Sequence, residues 1–355
     1  MKRLAIYAHF GESPKVARYV WYFLKELRSL GFEICFVSNS PISIENQSEI
    51  STLCQKFIQR ENTGYDFSMW QAGLAEYDLS KVEELLLTNS SIIGPLQPLA
   101  ALWQNSSVQQ CDFWGLTDND EFGRHLQTYF MVFRRQVIQA ASFMGFWRSV
   151  LPLKDKQQVI QNYEIGLTRW LEENGFKWKA VFPQEHMWSL FLKRRSFVKK
   201  IGDWHYNRCV PGRNTTILLP DLLLQCGMPF LKAALLYEAP FQVSPKIAFK
   251  LLKTSNLPVE ILEELRLKKI LGLNAQQERD AVLALDAVVW RLFQAGSHIP
   301  LRWKITLLKR NCSAKTICLI LCSTCGLSFA KFKQILAFGV ALKRMIFHQQ
   351  REHRL

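Results

Sequence analysis

Two hydrophobic periods alternate along the first two hundred residues and set the elements. Leu4-Ala5-Ile6-Tyr7-Ala8 is a continuous apolar run of strand length, whereas Val16, Val20, Phe23, Leu24 and Leu27 recur at helical spacing up to Leu30. Gly31 ends that helix, and Glu33-Ile34-Cys35-Phe36-Val37 is a second buried run. The chain therefore opens as a β-α-β unit, for which parallel strands and a right-handed crossover are expected. A short strand at 56–59, a helix from Phe67 to about Glu76 and a strand at 84–88 follow. Two further strands, 112–117 and 125–133, flank an acidic turn, Asp118-Asn119-Asp120-Glu121. A helix at 136–150, another opening near Asn162 and running to Asn174-Gly175, and a last strand at 177–182 complete this part. Strands alternating with helices predict an α/β fold, a Rossmann-type, mostly parallel sheet flanked by helices. Past roughly residue 200 the pattern turns helical. The expected division is a ligand-binding domain over 1–200, a helical extension completing or packing on it over 201–300, and a basic, aromatic helical tail over 301–355.

Charge sharpens that division. The chain carries 45 Lys+Arg against 30 Asp+Glu, yet residues 1–200 hold 23 against 20 and residues 201–355 hold 22 against 10. A uniformly basic nucleic-acid binder is disfavoured, because the basic residues avoid the half that bears the motifs. The tail mixes Trp303, Phe329, Phe332, Phe338 and Phe347 with lysine and arginine, which suits an anionic membrane surface or, equally, a helical bundle with a solvated basic face. Its longest uncharged stretch, 316–330, is short for a bilayer span, which takes about 20 residues. The nine cysteines follow no framework spacing and point to a reducing, cytoplasmic setting. Cys318, Cys322 and Cys325 read as buried helix cysteines ahead of a zinc site.

Candidate chemistry sits where strands end. The turn Arg60-Glu61-Asn62-Thr63-Gly64-Tyr65-Asp66-Phe67 joins a strand to a helix, where open α/β sheets bind ligands and a helix N-terminus offers N–H groups to an anion. A capping turn without a ligand is the plainer alternative. His9 and Ser38-Asn39-Ser40 close the first two strands, and neither G-x-G-x-x-G nor a P-loop motif is present. Asn89-Ser90-Ser91 leaves the next strand without a carboxylate. Asp112, His125 and Gln127 are polar residues among apolar partners, and Glu164 at an expected helix start is either a general base or a carboxylate favoured by the helix dipole.

Eight blocks in order resemble the rhamnan-synthesis protein F family of bacterial polysaccharide glycosyltransferases, over roughly residues 1–240. They are Ala8-His9-Phe10, Phe36-Val37-Ser38-Asn39-Ser40, the 60–67 turn with Trp70, Leu87-Thr88-Asn89-Ser90-Ser91 with Gly94-Pro95-Leu96, Asp112-Phe113-Trp114-Gly115-Leu116-Thr117, His125-Leu126-Gln127-Thr128-Tyr129-Phe130, Tyr163-Glu164-Ile165-Gly166-Leu167-Thr168 and Met228-Pro229-Phe230-Leu231-Lys232. The resemblance implies a GT-A-like fold and transfer of a sugar, L-rhamnose from dTDP-L-rhamnose in the first instance, to a lipid-linked glycan at the cytoplasmic face of the membrane. It implies that His9, Ser38, Asn39, Ser40, Arg60, Asn62, Gly64, Tyr65, Asp66, Asn89, Ser90 and Ser91 hold the nucleotide-sugar. It further implies catalytic roles for Glu164, Asp112 and His125, and an acceptor side at Trp114, Gln127 and Tyr129. Members usually read Asn-Asp-Ser where this chain has Asn89-Ser90-Ser91, so a Mg or Mn ion is not assured and basic residues such as Arg60 are the alternative neutraliser. A non-catalytic glycan-assembly or membrane-scaffolding protein with a degenerate glycosyltransferase fold is the rival reading.

Overall fold

The structure, a computed structural model, describes residues 2–198 and 213–271 apart from four positions between 239 and 244. The strands are β1 (Arg3–His9), β2 (Phe32–Ser38), β3 (Lys56–Gln59), β4 (Glu84–Asn89), β5 (Ile92–Ile93), β6 (Phe113–Asn119), β7 (His125–Leu126), β8 (Phe130–Arg134), β9 (Trp178–Phe182) and β10 (Leu231–Lys232). The first three helices are α1 (Arg18–Ser29), α2 (Ile44–Leu53) and α3 (Tyr65–Leu74). β3, β2, β1 and β4 lie side by side and parallel. β8 enters antiparallel between β4 and β6, and β9 pairs parallel with β6, so the sheet is mixed but mostly parallel.

The continuous apolar runs are explained by burial on both faces. Along β1, Ala5 and Tyr7 join one core with Val20, Phe23, Leu24 and Leu27 of α1. Leu4, Ile6 and Ala8 join the opposite core with Phe67, Met69, Trp70 and Leu74 of α3. Trp70 anchors α3 to the sheet by donating its indole N–H to the Thr88 carbonyl at 3.0 Å. Past residue 213 the chain returns to the same body, since β10 pairs antiparallel with β5. Residues 1–270 form one compact unit. The last part of the helical extension, 272–300, and the whole tail, 301–355, including Cys318, Cys322 and Cys325, lie outside the described residues. Among the described residues, no helix is long and apolar enough to cross a membrane.

Three expectations need correcting. The run 125–133 is not one regular strand: β7 and β8 both pair with β6, but between Gly115↔Met131 and Asp118↔Leu126 two residues face four. The resulting bulge turns Gln127 and Tyr129 toward Thr117, and such bulges re-aim side chains beside functional sites. The helix expected at 136–150 breaks into Arg135–Ile138 and Ala141–Ser149. Ile138 and Phe143 both reach the core, and on one straight helix they would diverge by about 140°. The acidic run 118–121 is not a solvated turn at its start, because Asp118 and Asn119 end β6 and are buried.

The contact of α3 with β1 leaves no room at Gly73, where a Cβ would stand 2.5 Å from Ile6 Cγ2. Gly73→Ala is expected to lower stability by about 1–2 kcal/mol, overpacking outweighing the gain in helix propensity. Urea unfolding checks this: a lower midpoint at unchanged slope is expected, and an unchanged or higher midpoint would contradict the packing.

Candidate functional site

The carboxyl ends of β1, β2, β3 and β4 form one edge, as open α/β sheets require of a ligand cleft. At β1 and β2 much of the polar surface is spent internally. His9 Nδ1 lies 3.0 Å from Ser38 Oγ, Ser38 donates to the Ser40 carbonyl at 2.9 Å, and Ser40 Oγ accepts from Gly11 N–H at 2.9 Å. Since Ser38 donates elsewhere, His9 Nδ1 carries the hydrogen. Burial pulls the His9 pKa down to about 4, so the ring is neutral and braces the loop. Two neighbours differ. Asn39 Oδ1 and Arg60 Nη1 are buried and have no hydrogen-bond partner. Buried groups of this kind call for a ligand or solvent partner.

Gly64 begins α3 in the left-handed region with φ 73°, and a Cβ there would meet Ser68 Oγ at 1.9 Å, so glycine is required. The turn aims Asp66, in the first turn of α3, at the end of β4. Asn89 Nδ2 donates to Asp66 Oδ2 at 2.8 Å, while Asn89 Oδ1 accepts from Ser91 N–H at 3.1 Å and Ser91 Oγ at 2.6 Å. Ser90 is tied to the β1 loop through Phe10 N–H and C=O, each 3.1 Å from its hydroxyl. Asn62 points to solvent, and Tyr65 donates its hydroxyl to the Lys154 carbonyl at 3.2 Å.

Facing this group is a residue the sequence reasoning left unassigned. Lys232, on β10, donates to Ser91 Oγ at 3.2 Å and lies 3.9 Å from the centroid of the Tyr129 ring. That ring is fixed by its hydroxyl, 2.6 Å from Thr117 Oγ1. Burial pulls the Lys232 ammonium down to about 8, although Glu164 and Asp66 oppose the shift. Burial pushes the Asp66 carboxyl up to about 6, with Glu164 adding to the rise and Asn89 and Lys232 opposing it. Glu164 accepts from Thr128 N–H at 3.3 Å. It does not open a helix: it lies in a π-helical turn, Ile160–Ile165, within a run of helix from Lys156 to Glu173. π turns often mark functional positions.

Other candidates lie elsewhere. Asp112 precedes β6 at the opposite edge of the sheet, where it accepts from Lys177 N–H at 2.6 Å and Gln136 Nε2 at 2.9 Å; it is a structural clamp. Trp114 is buried against Trp103 and Phe130 and offers no face to an acceptor. His125 is buried with Nδ1 2.6 Å from the Gly123 carbonyl, and Gln127 accepts from Thr117 at 2.8 Å. Beside the end of β6, a cavity of about 790 Å³ is lined by Asp118, Asp120, Arg124, Glu185, Leu192 and Lys193 among others. Asp118 accepts there from Gln184 N–H at 2.5 Å.

A divalent cation fits this arrangement poorly. The Asn89 carboxamide oxygen is already shared by two Ser91 donors, Asp66 Oδ2 is taken by Asn89, and the cation against Ser91 is an ammonium. Among the described residues, no three His, Cys, Asp or Glu side chains gather as a metal-binding group.

Strand ends of a mostly parallel sheet close on a charged cluster and two orphaned polar atoms, which defines an α/β protein with its candidate site at the carboxyl edge. The chain belongs to the rhamnan synthesis protein F family, whose profile matches residues 34–270. It is 30% identical to the virulence protein VirA of Vibrio anguillarum over 221 residues, 59% of this chain and 70% of that one. It is 28% identical to the uncharacterized protein y4gN of Sinorhizobium fredii over 174 residues, 47% of this chain and only 45% of that one. Similar solved structures include the glycosyltransferase GlyE of Streptococcus pneumoniae TIGR4, with a TM-score of 0.37 at 13% identity, covering 76% of this chain and 64% of that one. A putative nucleotide-diphospho-sugar transferase from Desulfovibrio desulfuricans G20 has a TM-score of 0.33 at 12% identity, covering 63% and 98%.

Asp66 holds its proton more tightly folded than unfolded, so the stability it contributes is full below its ordinary pKa of 3.8 and is lost as pH rises through about 6. Asp66→Asn, which stays neutral, is expected to melt above the wild type at about pH 7 and level with it at about pH 4. Thermal melts across pH check this; the same difference at both ends would contradict the burial argument.

Proposed function

We propose that this protein is a glycosyltransferase that takes a sugar from a nucleotide-sugar donor, with dTDP-L-rhamnose as the first candidate. The acceptor is a lipid-linked glycan in the assembly of a bacterial surface polysaccharide such as a rhamnan, O-antigen or capsule. Family membership supports the process. The observation that carries the chemistry is the meeting of Asp66, Asn89, Ser91, Lys232 and Glu164 at one edge of the sheet, although they come from four separate segments. In this reading the nucleoside lies over Asn39, Arg60 and the Gly64 turn. The diphosphate faces the first turn of α3 and the Asn89-Ser90-Ser91 triplet, and the acceptor enters from the cavity beside Asp118. The basic tail at 301–355 is assigned to the inner membrane face, where each basic residue near anionic lipid contributes about 1 kcal/mol.

The reaction is a displacement at the anomeric carbon. The acceptor oxygen forms the new bond to that carbon, the bond from the carbon to the diphosphate oxygen breaks, and the nucleoside diphosphate leaves with the electron pair. Glu164 receives the acceptor proton, and stabilising the departing charge is the largest demand on the site.

Incubating purified protein with dTDP-L-rhamnose and a rhamnose-terminated lipid acceptor, and following release of dTDP, tests this. Turnover is expected for the wild type, with Glu164→Gln slower by about 10²–10⁴-fold and little changed in nucleotide affinity. A wild type that binds neither dTDP nor any nucleotide-sugar of a donor panel would overturn the function. Full activity in Glu164→Gln would remove only the base.

A further inference from the structure

We propose that Lys232 is the fixed cation of this site, a protein ammonium that meets the donor's diphosphate where a divalent ion would otherwise stand, with the Asn89-Ser90-Ser91 triplet as its cradle. The inference rests on the nucleotide-sugar reading above.

Three observations carry it. First, the backbone places Lys232 deliberately. β10 is two residues long, it pairs with the two-residue β5 that immediately follows the triplet, and Ala233 N–H donates to the Ser91 carbonyl at 2.9 Å. A ladder this short has little packing value of its own, but it sets one side chain against the end of β4. Second, the ammonium is only partly spent. Of its three N–H donors, one goes to Ser91 Oγ at 3.2 Å and the charge rests on the Tyr129 ring at 3.9 Å, which leaves donor capacity for an anion. Third, the triplet is wired to hold an ammonium. Ser91 Oγ donates to Asn89 Oδ1, so its lone pairs face Lys232, and Asn89 Nδ2 donates onward to Asp66. The chain of donors runs from Lys232 through Ser91 and Asn89 to the Asp66 carboxylate, in the one direction that suits a cation at its head.

The charged neighbours are Asp66 on α3, Glu164 in the π turn and Lys156 in the helix before it. The two carboxylates hold the ammonium in a place that burial, aided by the like charge of Lys156, would otherwise discharge. A diphosphate arriving there adds negative charge, favours the protonated amine and so draws a proton onto it near pH 8.

Calorimetric titration of dTDP and UDP into the full chain, with chelator and then with Mg or Mn, tests the assignment. The wild type is expected to bind in chelator with an affinity that metal changes by less than about 3-fold, and Lys232→Met to bind about 10–100-fold more weakly. Lys232→Arg, which keeps a charge, is expected to retain most of the affinity. Near pH 8 the wild type should take up a proton on binding, read from the dependence of the heat on buffer ionisation, whereas Lys232→Arg should not. Both variants are first shown to melt cooperatively. Binding that needs metal, with Lys232→Met matching the wild type in its presence, would overturn the role of Lys232 and leave the nucleotide-sugar reading intact. A wild type that binds no nucleoside diphosphate under either condition would overturn both.

Discussion

The hydrogen bond from the Asn89 carboxamide to the Asp66 carboxylate holds the site together. It joins the loop after β4 to the first turn of α3. Asp66 can stand there because Gly64 turns the chain in the left-handed region where a Cβ would run into Ser68, and because Trp70, one turn further on, pins α3 to the Thr88 carbonyl next to Asn89. Turn, helix and strand end thus position one another, and the cost is a carboxylate and an ammonium kept partly from water. Charged groups held away from water in this way are commoner at functional sites than at a purely structural edge.

Labour is divided along the edge. Toward β1 and β2, His9, Ser38 and Ser40 satisfy one another, and burial keeps the imidazole neutral, so this side is a rigid wall. Between β2 and β3, Asn39 and Arg60 keep buried polar atoms without partners. Toward β4 and β10 the charged groups gather. Under the proposed function, the unsatisfied recess would take the base and ribose and the charged end the diphosphate.

Much of this was legible in the sequence, for reasons that can be named. β1, β2 and β4 are buried on both faces, so each shows an unbroken apolar run, and α1 buries one stripe at helical spacing. The turn at 60–67 and the triplet at 89–91 could be placed because polar residues ending such runs fall at the ligand edge. Asp112 misled for the converse reason: it is polar and flanks a strand, but precedes it, at the other edge. Asp118 looked solvated because an acidic run hides the accepting bond from Gln184 N–H. The helix α2 buries only Ile50 and so has almost no period to detect. Lys232 closed the last of the resembling blocks, Met228 to Lys232, but drew no role, since a two-residue strand has no periodicity and its partner lies far back in the chain.

The most direct test of the whole is where a nucleoside diphosphate lodges. In a crystal structure of the protein with dTDP, the account predicts the diphosphate within hydrogen-bond reach of Lys232 Nζ and of the N–H groups opening α3, with the base near Asn39 and Arg60. A diphosphate seated instead in the cavity between Asp118 and Lys193, or on another face, would contradict it.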